Sequence, residues 1–254
     1  MKRDYSIQKL LNEPLSLWQK FHEKTKLKVL PKDKRTKLTK IKDNKVKFKG
    51  YTRLGVTSLP DARLSADVTY EQVLNLRSSG REFSNVPLSQ QEISSLLYYS
   101  SGINRSKKSV FPFRFYPSAG HNYPLEIYVL SLHTEYLNGL YHYYVRSHFL
   151  ENVYLFKKIK LTDYFGQEWV GNVAAFIIIT AMFKRTILSY GDRGYRHILV
   201  EAGHLGQNIY LNSVALGLSC CAIGGYIDDK LNSLIDVDGL NESVVYVLAV
   251  GKKK

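Results

Sequence analysis

The chain has 254 residues, 44% of them apolar, with 36 Lys and Arg against 22 Asp and Glu for a formal net charge of +14. This is enough material for one sizeable core, and no run of about eighteen apolar residues is present, so no membrane span is expected. The basic excess is local: residues 1–60 carry 17 basic and 5 acidic side chains, whereas the rest is nearly balanced at 19 against 17.

The opening MKRDYSIQKLLNEP carries Asp4 and Glu13 and lacks the apolar stretch and small-residue cleavage pattern of a secretory signal, which makes the cytoplasm the expected compartment. Ile7, Leu10, Leu11, Leu15, Trp18 and Phe21 keep helical spacing, with Pro14 set to bend or split that helix. From Lys20 to Lys49 large apolar residues are few and periodicity is weak. That stretch reads as a basic arm, either a solvated lysine-rich surface or a docking surface for an acidic leader peptide. No nucleic-acid partner is expected, since aromatic residues are not interleaved with the basic ones and no named binding motif fits. The boundary falls at residue 60, with an arm over 1–60 and a folded domain over 61–254.

Within the folded domain, Thr69 is placed to start a short helix over Tyr70–Leu76 that closes near Gly80. Ser89-Gln90-Gln91-Glu92 is a capping box, after which Ile93, Leu96 and Leu97 face a core until Gly102. Residues 125–131, 140–145, 174–180 and 243–250 are β-rich and apolar, the pattern of strands in a sheet covered on both faces. Ile198, Leu199, Ala202, Leu205, Ile209, Ser213 and Leu216 recur at helical spacing, and Gly217 stands where such a helix stops. A strand end of small residues follows, Ser219-Cys220-Cys221-Ala222-Ile223-Gly224-Gly225. Asp228 and Asp229 then open a short helix with Leu231, Leu234 and Ile235. Alternating helices and buried strands give a layered α/β or α+β domain.

Cys220 and Cys221 are adjacent, so they can neither bridge distant segments nor supply four metal ligands, and they read as buried thiols. The 7 histidines show no metal-binding spacing, so no metal is expected, and His204 reads as a core residue of the long helix. Arg77-Ser78-Ser79-Gly80-Arg81 places two guanidinium groups and two hydroxyls together, the donors that a phosphate needs. Alone, such a string is a surface cluster. Pro117-Ser118-Ala119-Gly120 leaves room for a ring system to lie against main chain, although a plain β-turn uses the same letters. Ile223-Gly224-Gly225 offers backbone donors to a flat ligand, or a simple bulge.

Four phrases in order, RSSGREF (77–83), YPSAGHNYPLEIYVL (116–130), GLYHYYVRSHFLE (139–151) and YGDRGYRHILVEAGHLGQNIYLNSVALGLSCCAIGGY (190–226), resemble the nitroreductase superfamily. Within it they are similar to the SagB-type dehydrogenases, flavin enzymes that act on ribosomally made peptides. FHEKTK at 21–26 is similar to the His-Glu-x-Thr/Ser-Lys phrase that opens many of these proteins. The resemblance spans roughly residues 68–251. It implies an α+β fold, a mostly antiparallel sheet flanked by helices, and a homodimer with FMN at its interface. Arg77, Ser79 and Arg81, with Ser78 beside them and Lys252 after the last strand, inherit the grip on the FMN phosphate. Ser118, Ala119 and Gly120 inherit the edge of the isoalloxazine, and Ile223, Gly224 and Gly225 the approach to its N5 and O4.

Azole-forming members carry a Lys-Tyr pair before Gly-x-Arg-Gly-Tyr-Arg. This chain has Ser189-Tyr190, which leaves Tyr190 as the catalytic candidate and the lysine missing, with Lys184 and Arg185 close in sequence. The implied function is FMN-dependent oxidation of thiazolines or oxazolines in a precursor peptide that a partner cyclodehydratase has cyclised. An NAD(P)H-dependent nitro or quinone reductase and a non-catalytic peptide-docking flavoprotein stand as alternatives. The chain contains no Gly-x-Gly-x-x-Gly dinucleotide fingerprint.

Overall fold

The computed structural model describes residues 16–27, 48–51, 53–64, 67–104, 112–154 and 159–254. Its helices are α1 (Leu17–Lys24), α2 (Tyr70–Leu76), α3 (Gln90–Ser101), α4 (Lys184–Tyr190), α5 (Gly194–Ala215) and α6 (Asp228–Ile235). Its strands are β1 (Val56–Ser58), β2 (Leu125–Ser131), β3 (Gly139–Tyr144), β4 (Phe149–Tyr154), β5 (Ala175–Met182), β6 (Leu218–Ile223) and β7 (Glu242–Lys252). They form one sheet in the order β1-β4-β3-β2-β5-β7-β6, with every pairing antiparallel. The α+β expectation holds. Among the described residues no helix is long and apolar enough to cross a membrane.

The most apolar run, β5, lies between β2 and β7 and is buried along its whole length except at Met182. A strand in that place has no solvent face, which is why its pattern does not alternate. On one face Ile127, Val129, Ile177, Ile179 and Leu248 pack against Ile93, Leu96 and Leu97 of α3 and Ile198, Ala202, Leu205 and Ile209 of α5. On the other, Leu130, Phe176, Ile178, Val247 and Ala249 meet Leu231 and Ile235 of α6 together with Phe165 and Val170. The Ser89 capping box forms as expected, Thr69 starts its helix and adds a second capping box with Gln72, and Gly217 takes the left-handed conformation (φ +69°) just beyond α5.

Only part of the basic arm falls in the described chain, since residues 1–15 and 28–47 lie outside it. Of the helix expected from Ile7 onward, α1 is the described portion. Its C-terminal end docks on the start of α5: Arg193 donates to Thr25 O (2.9 Å), Arg196 to His22 O (2.6 Å), and the Phe21 and Tyr195 rings meet edge-on at 5.7 Å. Residues 48–51 and 53–58 run onto the sheet. Lys49 Nζ reaches Glu242 Oε2 (2.7 Å) and the Tyr128 hydroxyl (2.6 Å), and β1 pairs with β4.

Strand β4 had no sequence signal because FLENVY sets Glu151 and Asn152 among its apolar residues. Burial resolves the contradiction. His142 is fully buried between two carboxylates, with Nδ1 2.6 Å from Glu151 Oε2 and Nε2 3.2 Å from Glu126 Oε2. Arg185 Nη1 stands 2.6 Å from Glu126 Oε1 as an ion pair without hydrogen-bond angles, and the Tyr51 N–H donates to Glu151 at 2.8 Å. Burial alone lowers an imidazole pKa, but the bonds from Glu126 and Glu151 outweigh it and hold His142 above its ordinary value. Burial likewise pushes Glu126 up, and His142, Arg185 and Arg114 together hold it below the usual carboxylate range.

His142 stabilisation is complete below about pH 6.5, the unfolded value, and fades as pH rises through the higher folded value. Glu126 stabilisation is complete above about pH 4.3 and is lost as pH falls through its depressed folded value. His142→Gln is therefore expected to destabilise the fold by about 3 kcal/mol near pH 6 and by less at pH 9. Urea unfolding of both proteins at the two pH values checks this, and an equal loss at both would show that the imidazolium is not the stabilising form.

Candidate functional site

Three glycine-containing loops, taken from the bottom up, build the site. The loop after α2 is tied to the start of β6, where Gly80 N–H donates to Cys220 O at 2.9 Å. A Cβ on Gly80 would lie 2.2 Å from Ser219 Oγ, so a side chain here requires the Ser219 hydroxyl to turn away. Ser79 Oγ is 3.1 Å from the Tyr210 hydroxyl of α5, and the Arg77 guanidinium lies 5.6 Å from that ring's centroid. Tyr210 in turn accepts from Ala222 N–H at 2.7 Å. Beside this contact is a cavity of about 470 Å³ whose walls include Ser78, Ser79, Arg81, Lys253 and Lys254. Three cations face one carboxylate there, that of Glu82. Lys252 points elsewhere and forms an ion pair with Glu92 of α3.

The second loop sits at the other end of α5. Gly120 is left-handed (φ +62°), and a Cβ on it would come within 2.8 Å of the Tyr190 hydroxyl, so Tyr190 stands directly over the 117–120 turn. The Tyr190 ring meets His197 edge-on at 4.9 Å. Ser118 Oγ accepts from Tyr123 N–H (2.9 Å) and donates to Glu201 Oε2 (2.6 Å). Glu201 is only 2% exposed, and burial pushes its carboxyl up to about 7 against the lowering pull of Ser118, Arg114 and the Ala119 N–H. Arg114 is equally buried and donates through Nη1 to Tyr116 Oη (3.0 Å) and Leu125 O (3.3 Å). Its Nε and Nη2, like Glu201 Oε1, have no hydrogen-bond partner. Arg185 is committed to Tyr123 O (3.0 Å) and Glu126, and Lys184 is exposed.

The third loop leaves β6. Ile223 is buried, Gly224 and Gly225 are exposed, and a Cβ on Gly225 would lie 2.5 Å from Gln167 Nε2. Within one chain, then, the Arg77–Arg81 loop and the terminal lysines share one cavity, and the 117–120 turn shares Tyr190. The Ile223-Gly224-Gly225 segment connects to the first group through β6. Glu201 and Tyr210 are nine positions apart, which separates the two ends by about 13 Å of helix.

Sequence reasoning missed Glu201 and Arg114. Glu201 had a signal: it lies three residues after Ile198 and four before Leu205, inside the buried stripe of α5, where a carboxylate is out of place. His204, expected in the core, is instead exposed on that helix. The cysteines are buried as expected, and burial pushes the Cys220 thiol up to about 12.

Residues 74–252 match the model of the nitroreductase family. A Methanocaldococcus jannaschii protein named as a nitroreductase is 30% identical over 205 residues, covering 77% of this chain and 95% of the relative. McbC, the microcin B17-processing protein of Escherichia coli, is 30% identical over 136 residues, 49% of each chain. The solved E. coli microcin synthetase McbBCD complex with truncated pro-MccB17 bound contains a chain with a TM-score of 0.61 and 25% identity, covering 92% of this chain and 86% of that one.

Gly80→Ala forces Ser219 to rotate away and is expected to destabilise the protein by about 1 kcal/mol. Adding Ser219→Ala should restore most of that loss, because the clashing oxygen is gone. Denaturant unfolding of both single variants and the pair measures the coupling; strict additivity would mean that the loop does not rest on Ser219.

Proposed function

The chain belongs to the nitroreductase family, and we propose that it is an FMN-dependent oxidoreductase that dehydrogenates a thiazoline or oxazoline ring carried on a ribosomal precursor peptide. The observation that carries the cofactor is the cavity beside α2 and β6. Arg81, Lys253 and Lys254 supply positive charge and Ser78 and Ser79 supply hydroxyls at one opening, a donor set suited to a phosphate monoester. Bound FMN would supply the two-electron acceptor. The chain's own residues would do the rest: the first loop and the terminal lysines hold the phosphate, the 117–120 turn and Ile223-Gly224-Gly225 present main chain to the ring system, and Tyr190 holds a proton over Gly120.

The described cavity is lined by the first loop and the terminal lysines, and we infer that a second copy brings the other two loops to it. Leu188 of α4 and Leu199 and Val200 of α5 are 67%, 43% and 57% exposed beside Tyr190 and supply apolar surface for it. The peptide substrate and a cyclodehydratase partner are supported by the likeness to McbC and to the microcin synthetase chain. Oxidation of an azoline to an azole removes two electrons and two protons, so the peptide loses two mass units. Ser189 replaces the lysine of azole-forming members, and the proton work falls to Tyr190 and its neighbours. A second reading, an NAD(P)H-dependent nitro or quinone reductase, is favoured by the archaeal relative, whose match covers more of the chain.

Purified protein is expected to be yellow with FMN, and Arg81→Ala to weaken FMN binding roughly tenfold or more, the loss of one charge-assisted bond. Unchanged retention in that variant would remove Arg81 from the phosphate site. Incubated aerobically with azoline-bearing peptides, the protein should yield products two mass units lighter. Turnover of NAD(P)H with a nitroarene or quinone, and none with the peptides, would decide for the second reading.

A further inference from the structure

We propose that Glu201 is a proton-holding positioning residue that acts through the Ser118 hydroxyl on the ligand of the 117–120 turn; this rests on the reading of that turn as the flavin-contacting one. A carboxylate 2% exposed in the apolar stripe of a helix needs a reason, since an incompletely paired buried charge is costly. Oε2 accepts from Ser118 at 2.6 Å, the Ala119 N–H of the same turn also pulls on the carboxylate, and Oε1 has no hydrogen bond of good geometry. The buried Arg114, with two nitrogens also unpartnered, supplies the opposing charge.

Ser118 is the half-buried link between this interior and the surface turn. Its oxygen already accepts Tyr123 N–H at 2.9 Å, and a hydroxyl has one proton and two lone pairs. With Glu201 ionised, the Ser118 proton is committed inward, and toward a ligand Ser118 offers a lone pair. With Glu201 protonated, the carboxyl proton occupies that lone pair and Ser118 turns its own proton outward. One proton on Glu201 thus converts an acceptor at the turn into a donor.

Burial pushes Glu201 up to about 7, so both forms exist near neutrality. The titratable and charged groups facing it are Arg114, Tyr116 and Tyr123 from the segment before β2, with His197 one turn earlier on α5 and Tyr190 across Gly120 from α4. Burial and Arg193 lower the His197 pKa below its ordinary value.

The test is FMN affinity against pH in the full chain, with Glu201→Gln as a neutral side chain that carries no titrating proton. If the donor form binds the ring, the ratio of the native Kd to the Glu201→Gln Kd is near one at pH 6 and about ten at pH 8. The FMN phosphate also titrates near 6, but it is common to both proteins and cancels in the ratio. In a Ser118→Ala background, Glu201→Gln should leave the ratio flat. A change of merely structural origin shifts the melting temperature and scales affinity equally at every pH. A constant ratio from pH 6 to 8 in otherwise folded proteins overturns the proposal while the FMN site stands, and failure of the native protein to take up FMN at any pH overturns both.

Discussion

Helix α5 can bury its apolar stripe only by lying along one face of the sheet, and that single packing constraint sets the spacing of everything at the site. Ile198, Ala202, Leu205 and Ile209 are packed against the face formed by β2, β6 and β7, so Glu201 and Tyr210 are held at a fixed separation. Tyr210 steadies the Arg77–Arg81 loop and β6, and Glu201 steadies the 117–120 turn. A rigid 22-residue helix thereby fixes the distance between the two loops. Functional groups carried by otherwise irregular loops gain a fixed geometry because each loop is hydrogen-bonded to this one element.

The two faces of the sheet treat polar residues differently. On the α6 side, Lys49, Tyr51, Tyr128, Thr180 and Glu242 form a closed polar set, with Thr180 Oγ1 donating to Glu242 at 2.6 Å and the Tyr51 and Tyr128 hydroxyls 2.8 Å apart. Beside it, His142 bonds to one oxygen each of Glu126 and Glu151, and Arg185 pairs with the other Glu126 oxygen. Satisfied networks of this kind rigidify and specify a fold. The Arg114 and Glu201 pair is different, because it leaves three buried polar atoms without partners. Native structures leave few such atoms, and incomplete pairing concentrates where a site is built for something else.

Much of the fold was legible because local signals and tertiary burial agree. The Ser89 capping box, the stop at Gly217 and the continuous apolar run of β5 each follow from one physical rule that tertiary contacts do not override. Strand β4 was illegible because Glu151 is polar by sequence and buried by pairing with His142, on a strand whose place is fixed only by long-range contacts. The three terminal lysines show a finer limit. Successive side chains of a strand point to opposite faces, so assigning Lys252 to α3 and its followers to the cavity needs the register of β7, which no spacing rule fixes. The Arg77–Arg81 loop could be found by residue type, whereas Glu201 was hidden by the same periodicity that revealed its helix.

The Ser189-Tyr190 pair gains meaning in this setting. A lysine at position 189 would add a cation to a region that already holds Arg185, ion-paired with buried Glu126, and Arg114, whose charge acts on Glu126 and Glu201. With serine there, the charge near the 117–120 turn is set by Glu201 and Arg114, both interior, while Tyr190 is left 38% exposed above Gly120. Proton-bearing groups then approach the turn from two directions: Tyr190 from outside, and Glu201 from within through Ser118. An exposed lysine ammonium is held charged by water over the whole neutral range, whereas a buried carboxyl is tuned by its few neighbours. A proton held within the fold is therefore set by packing, where one held at the surface is set by solvent.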